Sequence, residues 1–125
     1  MNTNTQRLFY SIACPTIVTR AACNLRAPTV NAALLPRPVP TVIIHHTVTR
    51  ACTNQAECCL IIRSIENHHM DVNGVSAIGY NFLIGEDGRA YEGRGWTCVG
   101  AHAPGCNTRS IGIAFIGDFS SKPIY

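Results

Sequence analysis

Charge is scarce in this sequence. Asp, Glu, Lys and Arg make up 14% of its 125 residues, against 46% hydrophobic residues, which excludes a disordered tail or an acidic activation segment. Long apolar runs are missing as well. The longest, such as Cys58 to Ile62, fall far short of the roughly 20 residues that span a bilayer, so no membrane span is expected. Lysine is nearly absent: Lys122 is the only one, and nine arginines carry the positive charge against seven acids. Those charges are scattered along the chain, not gathered into a stripe, which argues against nucleic acid as a partner. There is no HExxH, no C-x-x-C and no G-x-S-x-G, so the short signatures of zinc proteases, zinc ribbons and serine hydrolases do not apply. The N-terminal apolar stretch, Leu8 to Ile12, is too short for the roughly 7–15 apolar residues of a secretory leader.

What is abundant is cysteine. Seven in 125 residues point to an oxidising compartment, and hence to a secreted protein, with an odd thiol left over. Five residues separate Cys52 from Cys58 where a loop enters a helix, which suits a short-loop disulfide. Cys59, facing elsewhere on that helix, is expected to be a buried free thiol. Cys98 and Cys106 flank His102 and are expected to pair or stay inert.

The length suits one domain. Residues 1–13 read as a lead without a clear signal peptide, and 14–125 as the domain. Residues 14–41 are rich in Pro, Ala and Arg, and Pro36, Pro38 and Pro40 forbid helix or central strand, so an extended surface lead-in is predicted. Thr41 to Thr47 is a β-branched run that reads as a buried strand. Asn54, with Glu57 three residues on, marks a helix start. The helix is predicted from Gln55 to about Met70, with Cys58, Ile61, Ile62 and Ile65 inward and Arg63, Glu66 and Asn67 toward water. Tyr80–Ile84 and Ala90–Glu92 read as a hairpin around Asp87-Gly88, and Ser110–Gly117 as a further strand. A mixed α/β sheet with one helix follows, and one helix cannot cover both faces.

Five histidines stand at 45, 46, 68, 69 and 102. Histidines on strand ends and loops are zinc-ligand material. His45 and His46, as neighbours on a strand, point to opposite faces and do not share one metal easily; one reads as a ligand or groove residue and the other as a hydrogen-bonded core histidine.

Ile43-Ile44-His45-His46-Thr47, Ile78 to Gly85, Tyr91-Glu92-Gly93-Arg94-Gly95-Trp96, Gly100-Ala101-His102 and Ser110 to Ile113 together resemble the peptidoglycan recognition proteins, which share the fold of the type 2 N-acetylmuramoyl-L-alanine amidases. The resemblance implies a mixed central sheet flanked by helices, and a further C-terminal segment with a long helix that has no counterpart before Tyr125. It implies innate-immune binding of bacterial peptidoglycan, with hydrolysis of the bond between N-acetylmuramic acid and L-alanine in active relatives. His45 matches a zinc ligand, whose two companions, a histidine and a cysteine, fall in the absent segment, so zinc is expected only where the site is completed. Tyr80 matches the tyrosine that hydrogen-bonds near the zinc-bound water and helps steady the tetrahedral intermediate. His46, His69, Tyr80, His102 and Asn107 match groove positions. Arg94 matches the arginine that grips the extra carboxylate of diaminopimelate peptides; Gly74 agrees with that preference, whereas Val75 stands where such relatives usually carry tryptophan and Asn73 where lysine-type readers can carry arginine. Cys52 and Cys58 match the shared disulfide, and Cys14 matches a cysteine whose usual partner lies in the absent segment.

Overall fold

A computed structural model describes residues 15–121; the expectations for residues 1–13 and for Cys14 lie outside that range. Strands β1 (Ile17–Val18), β2 (Thr41–His46), β3 (Phe82–Ile84), β4 (Ala90–Glu92) and β5 (Ser110–Phe115) and one α-helix, α1 (Gln55–Asp71), are joined by two 3-10 turns, Ala21–Cys23 and Asn107–Arg109. The five strands form one mixed sheet in the order β1-β4-β3-β5-β2. Only the β3–β4 hairpin is antiparallel; β2–β5, β3–β5 and β1–β4 are parallel. The predicted mixed α/β sheet is therefore present.

Local chemistry explains the boundaries. Asn54 Oδ1 accepts the Glu57 amide at 2.9 Å and starts α1, satisfying an amide that the first helical turn cannot pair. The Glu57 carboxylate reaches back to the Thr53 amide, one residue earlier than in the usual reciprocal pair. In the hairpin, Gly88 takes φ +78°, a left-handed conformation that a side chain disfavours. Asp87 holds the turn by accepting from the Arg89 amide and the Tyr91 hydroxyl.

The sheet has two unlike faces. On one, His45, Ala114, Leu83 and Tyr91 align across the ladders, and the core joins Leu83, Tyr91 and Ala114 to Cys58, Ile61 and Ile62 of α1. On the other, Leu35 shields Phe82 and Ile111, but Val42 and Ile44 are 57% and 54% exposed. The run 41–47, expected to be a buried strand, is thus an edge strand with a largely uncovered face.

The lead-in departs from expectation more strongly. It contributes β1 and a 3-10 turn, then packs on α1. Glu66, expected to face water, is 1% exposed: its carboxylate accepts from Arg20 Nη2 at 2.7 Å and from the Arg26 amide at 2.8 Å. Arg63 donates to the Cys23 carbonyl at 2.9 Å. Cys59 is not a free thiol but is bonded to Cys23, 36 residues away. Helical periodicity cannot foresee this, because the covering element comes from an irregular segment. Cys52 and Cys58 form the second disulfide, while Cys98 and Cys106 are unpaired and half-buried.

Candidate functional site

The chemistry-bearing side chains gather on the helix face, where β2 ends beside the last turn of α1 and the glycine-rich loop. Tyr80 lies centrally: its ring centroid is 5.5 Å from that of His45 and 5.5 Å from that of His69. His45 and His102 meet edge-to-face at 5.0 Å. His69, Tyr80, His45 and His102 thus form one arc, drawn from α1, the second residue before β3, β2 and the loop before β5.

Close backbone approach makes the arc possible. A Cβ on Gly112 would stand 2.5 Å from the His102 ring, and one on Gly100 2.6 Å from it, so the imidazole lies in a bed that only glycine leaves open. A Cβ on Gly79 would meet the Ala101 carbonyl at 2.3 Å. The Gly79 carbonyl instead accepts the Ala101 amide at 2.9 Å, and the Gly79 amide donates to His69 Nδ1 at 2.9 Å.

The hydrogen bonds define the tautomers. Ser110 Oγ donates to the Cys106 carbonyl at 2.7 Å, so its lone pairs face His102 Nε2, 3.4 Å away. His102 then carries its proton on Nε2 and accepts at Nδ1 from His45 Nε2, 2.8 Å distant, because a neutral imidazole has one donor and one acceptor nitrogen. Burial holds His45, His69 and His102 below the ordinary histidine value; a neighbouring imidazole (His46, His68 and His45 respectively) adds to it, as does Arg94 for His69 and His102. Burial alone pushes Tyr80 up. Near pH 7 the arc offers neutral donors and acceptors over an aromatic wall.

The other expected site residues lie elsewhere. His46 turns to the opposite face, where its Nδ1 accepts the Phe119 amide at 3.0 Å and its ring is 6.3 Å from that of Phe119. Arg94 lines a cavity with Arg20, Asn31, Leu34 and Cys98, and its Nε, Nη1 and Nη2 donate to the carbonyls of Ile78 (2.8 Å), Val99 (2.9 Å) and Ala77 (3.3 Å). Asn107 closes the loop, its Oδ1 accepting from the His102 and Ala103 amides, both at 2.9 Å. Ser110 and Asn81, which also bear on the site, were not foreseen. The spacing of Gly100 and Gly112 about His102 was the available signal for such close contacts.

A zinc test gives a plain result. Nitrogen ligands at about 2.0–2.1 Å from a tetrahedral zinc stand about 3.3 Å apart, whereas His45 Nε2 and His102 Nδ1 are at hydrogen-bonding distance. Among the described residues, no three of His, Cys, Asp and Glu converge as a metal-binding group. This donor set does not fit a catalytic zinc.

Residues 35–125 match the family model described as N-acetylmuramoyl-L-alanine amidase, a family that is zinc-dependent in general. Peptidoglycan-recognition protein 1 of Holotrichia diomphalia is 48% identical over 109 residues, covering 87% of this chain and 55% of the relative. A peptidoglycan recognition protein of Trichoplusia ni is 51% identical over 90 residues, covering 71% of this chain and 50% of the relative. Among solved structures, bumblebee PGRP-SA superposes with a TM-score of 0.82 at 48% identity, covering 90% of this chain and 66% of that one. Peptidoglycan recognition protein-LE, solved with tracheal cytotoxin, a monomeric diaminopimelic acid-type peptidoglycan, gives 0.83 at 40% identity, covering 85% and 62%. The chain spans about half the length of these curated relatives.

Proposed function

We propose, starting from a chain that belongs to the N-acetylmuramoyl-L-alanine amidase family and within it to the peptidoglycan-recognition proteins, that this protein recognises bacterial peptidoglycan by binding muramyl peptides along the His69–Tyr80–His45–His102 arc. The arc itself carries the reading. Its imidazoles, held neutral by burial, can donate to and accept from sugar hydroxyls and stem-peptide amides, and Tyr80 supplies an apolar ring with a polar tip. Arg94 and Asn107 are assigned to the same groove. Three of the five guanidinium N–H groups of Arg94 bind carbonyls, which leaves two for the extra carboxylate of a diaminopimelate-type stem peptide. His46, on the other face, is left out of the groove. The relative solved with tracheal cytotoxin supports this choice of ligand class. Two disulfides support a secreted protein, and among the described residues no helix is long and apolar enough to cross a membrane.

The test is co-sedimentation with insoluble peptidoglycan, followed by calorimetry with soluble muramyl peptide. Wild-type protein is expected in the pellet, and Tyr80→Ala is expected to bind the soluble ligand at least about tenfold more weakly, the worth of about 1.4 kcal/mol. Wild-type protein that stays in the supernatant defeats the reading.

A second reading, amidase activity, is favoured by the 5.5 Å between the rings of His45 and Tyr80. It requires zinc donors besides His45 that residues 15–121 do not bring together. Zinc content per chain after dialysis against the metal and then against buffer decides it. One retained zinc per chain supports hydrolysis, and none removes it.

A further inference from the structure

We propose that Asn81 is a positioning residue, whose buried amide sets the His102 ring against His45 through the backbones of Gly100 and Gly112. The importance of that geometry for ligand binding rests on the peptidoglycan reading above; the geometry itself does not. Asn81 is 0% exposed, so it touches no ligand directly and acts only through its partners.

Those partners lie at three points of the chain. Asn81 Nδ2 donates to the carbonyls of Gly95 and Cys98, both at 2.9 Å. Its Oδ1 accepts the Gly112 amide at 2.9 Å. Its backbone adds bonds from the Gly93 and Gly95 amides and one to the Gly112 carbonyl. One residue therefore ties both ends of the 93–98 loop to β5. The side-chain chemistry is selective: two donors and an acceptor are needed at one branch point, and a carboxylate has no donor while a hydroxyl has one.

The link to His102 is steric. Gly100 abuts both side chains, since a Cβ there would stand 2.6 Å from the His102 ring, 2.9 Å from the Gly79 carbonyl oxygen and 3.0 Å from Asn81 Oδ1. Gly112, held by the same Oδ1, forms the other half of the bed on which His102 lies. Movement of the amide displaces both supports, and with them the 2.8 Å contact between His102 and His45.

The test compares Asn81→Ser and Asn81→Asp with Ile62→Val, a buried change in α1 away from the loop, by nitrogen-15 spectra of the imidazoles near pH 7.5. Wild-type protein is expected to show His102 as the Nε2–H tautomer with a hydrogen-bonded Nδ1. Both Asn81 variants are expected to lose that signature and to bind muramyl peptide at least about tenfold more weakly, while Ile62→Val keeps both properties despite a lower melting temperature. An Asn81 variant that retains the wild-type imidazole spectrum overturns the proposal. So does the failure of both Asn81 variants to fold, which would make the amide a folding determinant. Should wild-type protein not bind muramyl peptide, the functional reading fails and the imidazole spectra still decide the role of Asn81.

Discussion

The two faces of the sheet share strands and registers, yet one is packed far more completely than the other. On the helix face Leu83, Tyr91 and Ala114 are at or below 1% exposure; on the opposite face Val42 and Ile44 exceed 50%. Adjacent histidines display the same division: His45 enters the arc with Tyr80 and His102, whereas His46 accepts a backbone amide beside Phe119. A strand's composition alone does not say which of its faces will be buried. Covering elements decide that: α1 and the start of the lead-in pack on one side, whereas Leu35 and Val39 shield only part of the other.

The contrast breaks if equivalent truncations cost the same on both faces. Leu83→Ala, at 0% exposure, is expected to lower stability by about 2–5 kcal/mol through lost transfer energy and a cavity. Ile44→Ala, already half in water, is expected to cost under about 1 kcal/mol. Urea titrations of both variants measure the difference, and equal midpoints would show that the open face is covered in solution.

The disulfides sharpen the contrast next, since both lie on the helix side. In the loop-entropy view, Cys23–Cys59, closing 36 residues, stabilises by about 4 kcal/mol and Cys52–Cys58, closing 6, by about 2. Replacing each pair with alanines and comparing melting temperatures tests that order. A larger loss from the shorter loop would place the stabilisation in native packing around Cys52 and Cys58, which are buried beside Gly85.

Those same elements mark where sequence reading succeeded. The start of α1 was legible because Asn54 and Glu57 act locally, and the hairpin because Asp87-Gly88 signals a turn by itself. The arc was legible only through resemblance, since no spacing links His69, Tyr80, His45 and His102. The burial of Glu66 and the Cys23–Cys59 bond were not legible: both depend on where an irregular, proline-rich segment lies. Arg94 and Asn107 show a related limit. Their positions were anticipated, but their side chains are largely occupied by backbone partners, which residue type does not reveal.

A smaller effect comes from pH. His69 is held below the ordinary histidine value mainly by burial, so near neutrality this side chain binds more proton in the unfolded chain than in the folded one. Stability is then full above the unfolded value of about 6.5 and declines as the pH falls toward the lower folded value. Melting temperatures recorded between pH 7.5 and 5 should fall on acidification, and His69→Gln should flatten the decline. An unchanged slope in that variant would move the effect to other groups of the helix face.

The smallest expected effect lies where β2 leaves the open edge. Val48 adopts φ +54°, a left-handed conformation that costs a β-branched residue about 1–2 kcal/mol. The chain tolerates it because the Val48 amide donates to the Gly117 carbonyl at 2.9 Å, while Thr47 Oγ accepts the Gly117 amide at 3.0 Å. Those bonds tie the ends of β2 and β5 together and fix the path of the chain just beyond His45 and His46. The valine side chain gives little in return, being 59% exposed. Val48→Asn keeps the amide and suits the left-handed region better, so it is expected to raise stability by about 0.5–1 kcal/mol without changing the imidazole spectrum of His102. A loss of stability instead would mean that the valine has an apolar partner, and that the open face is covered at this corner.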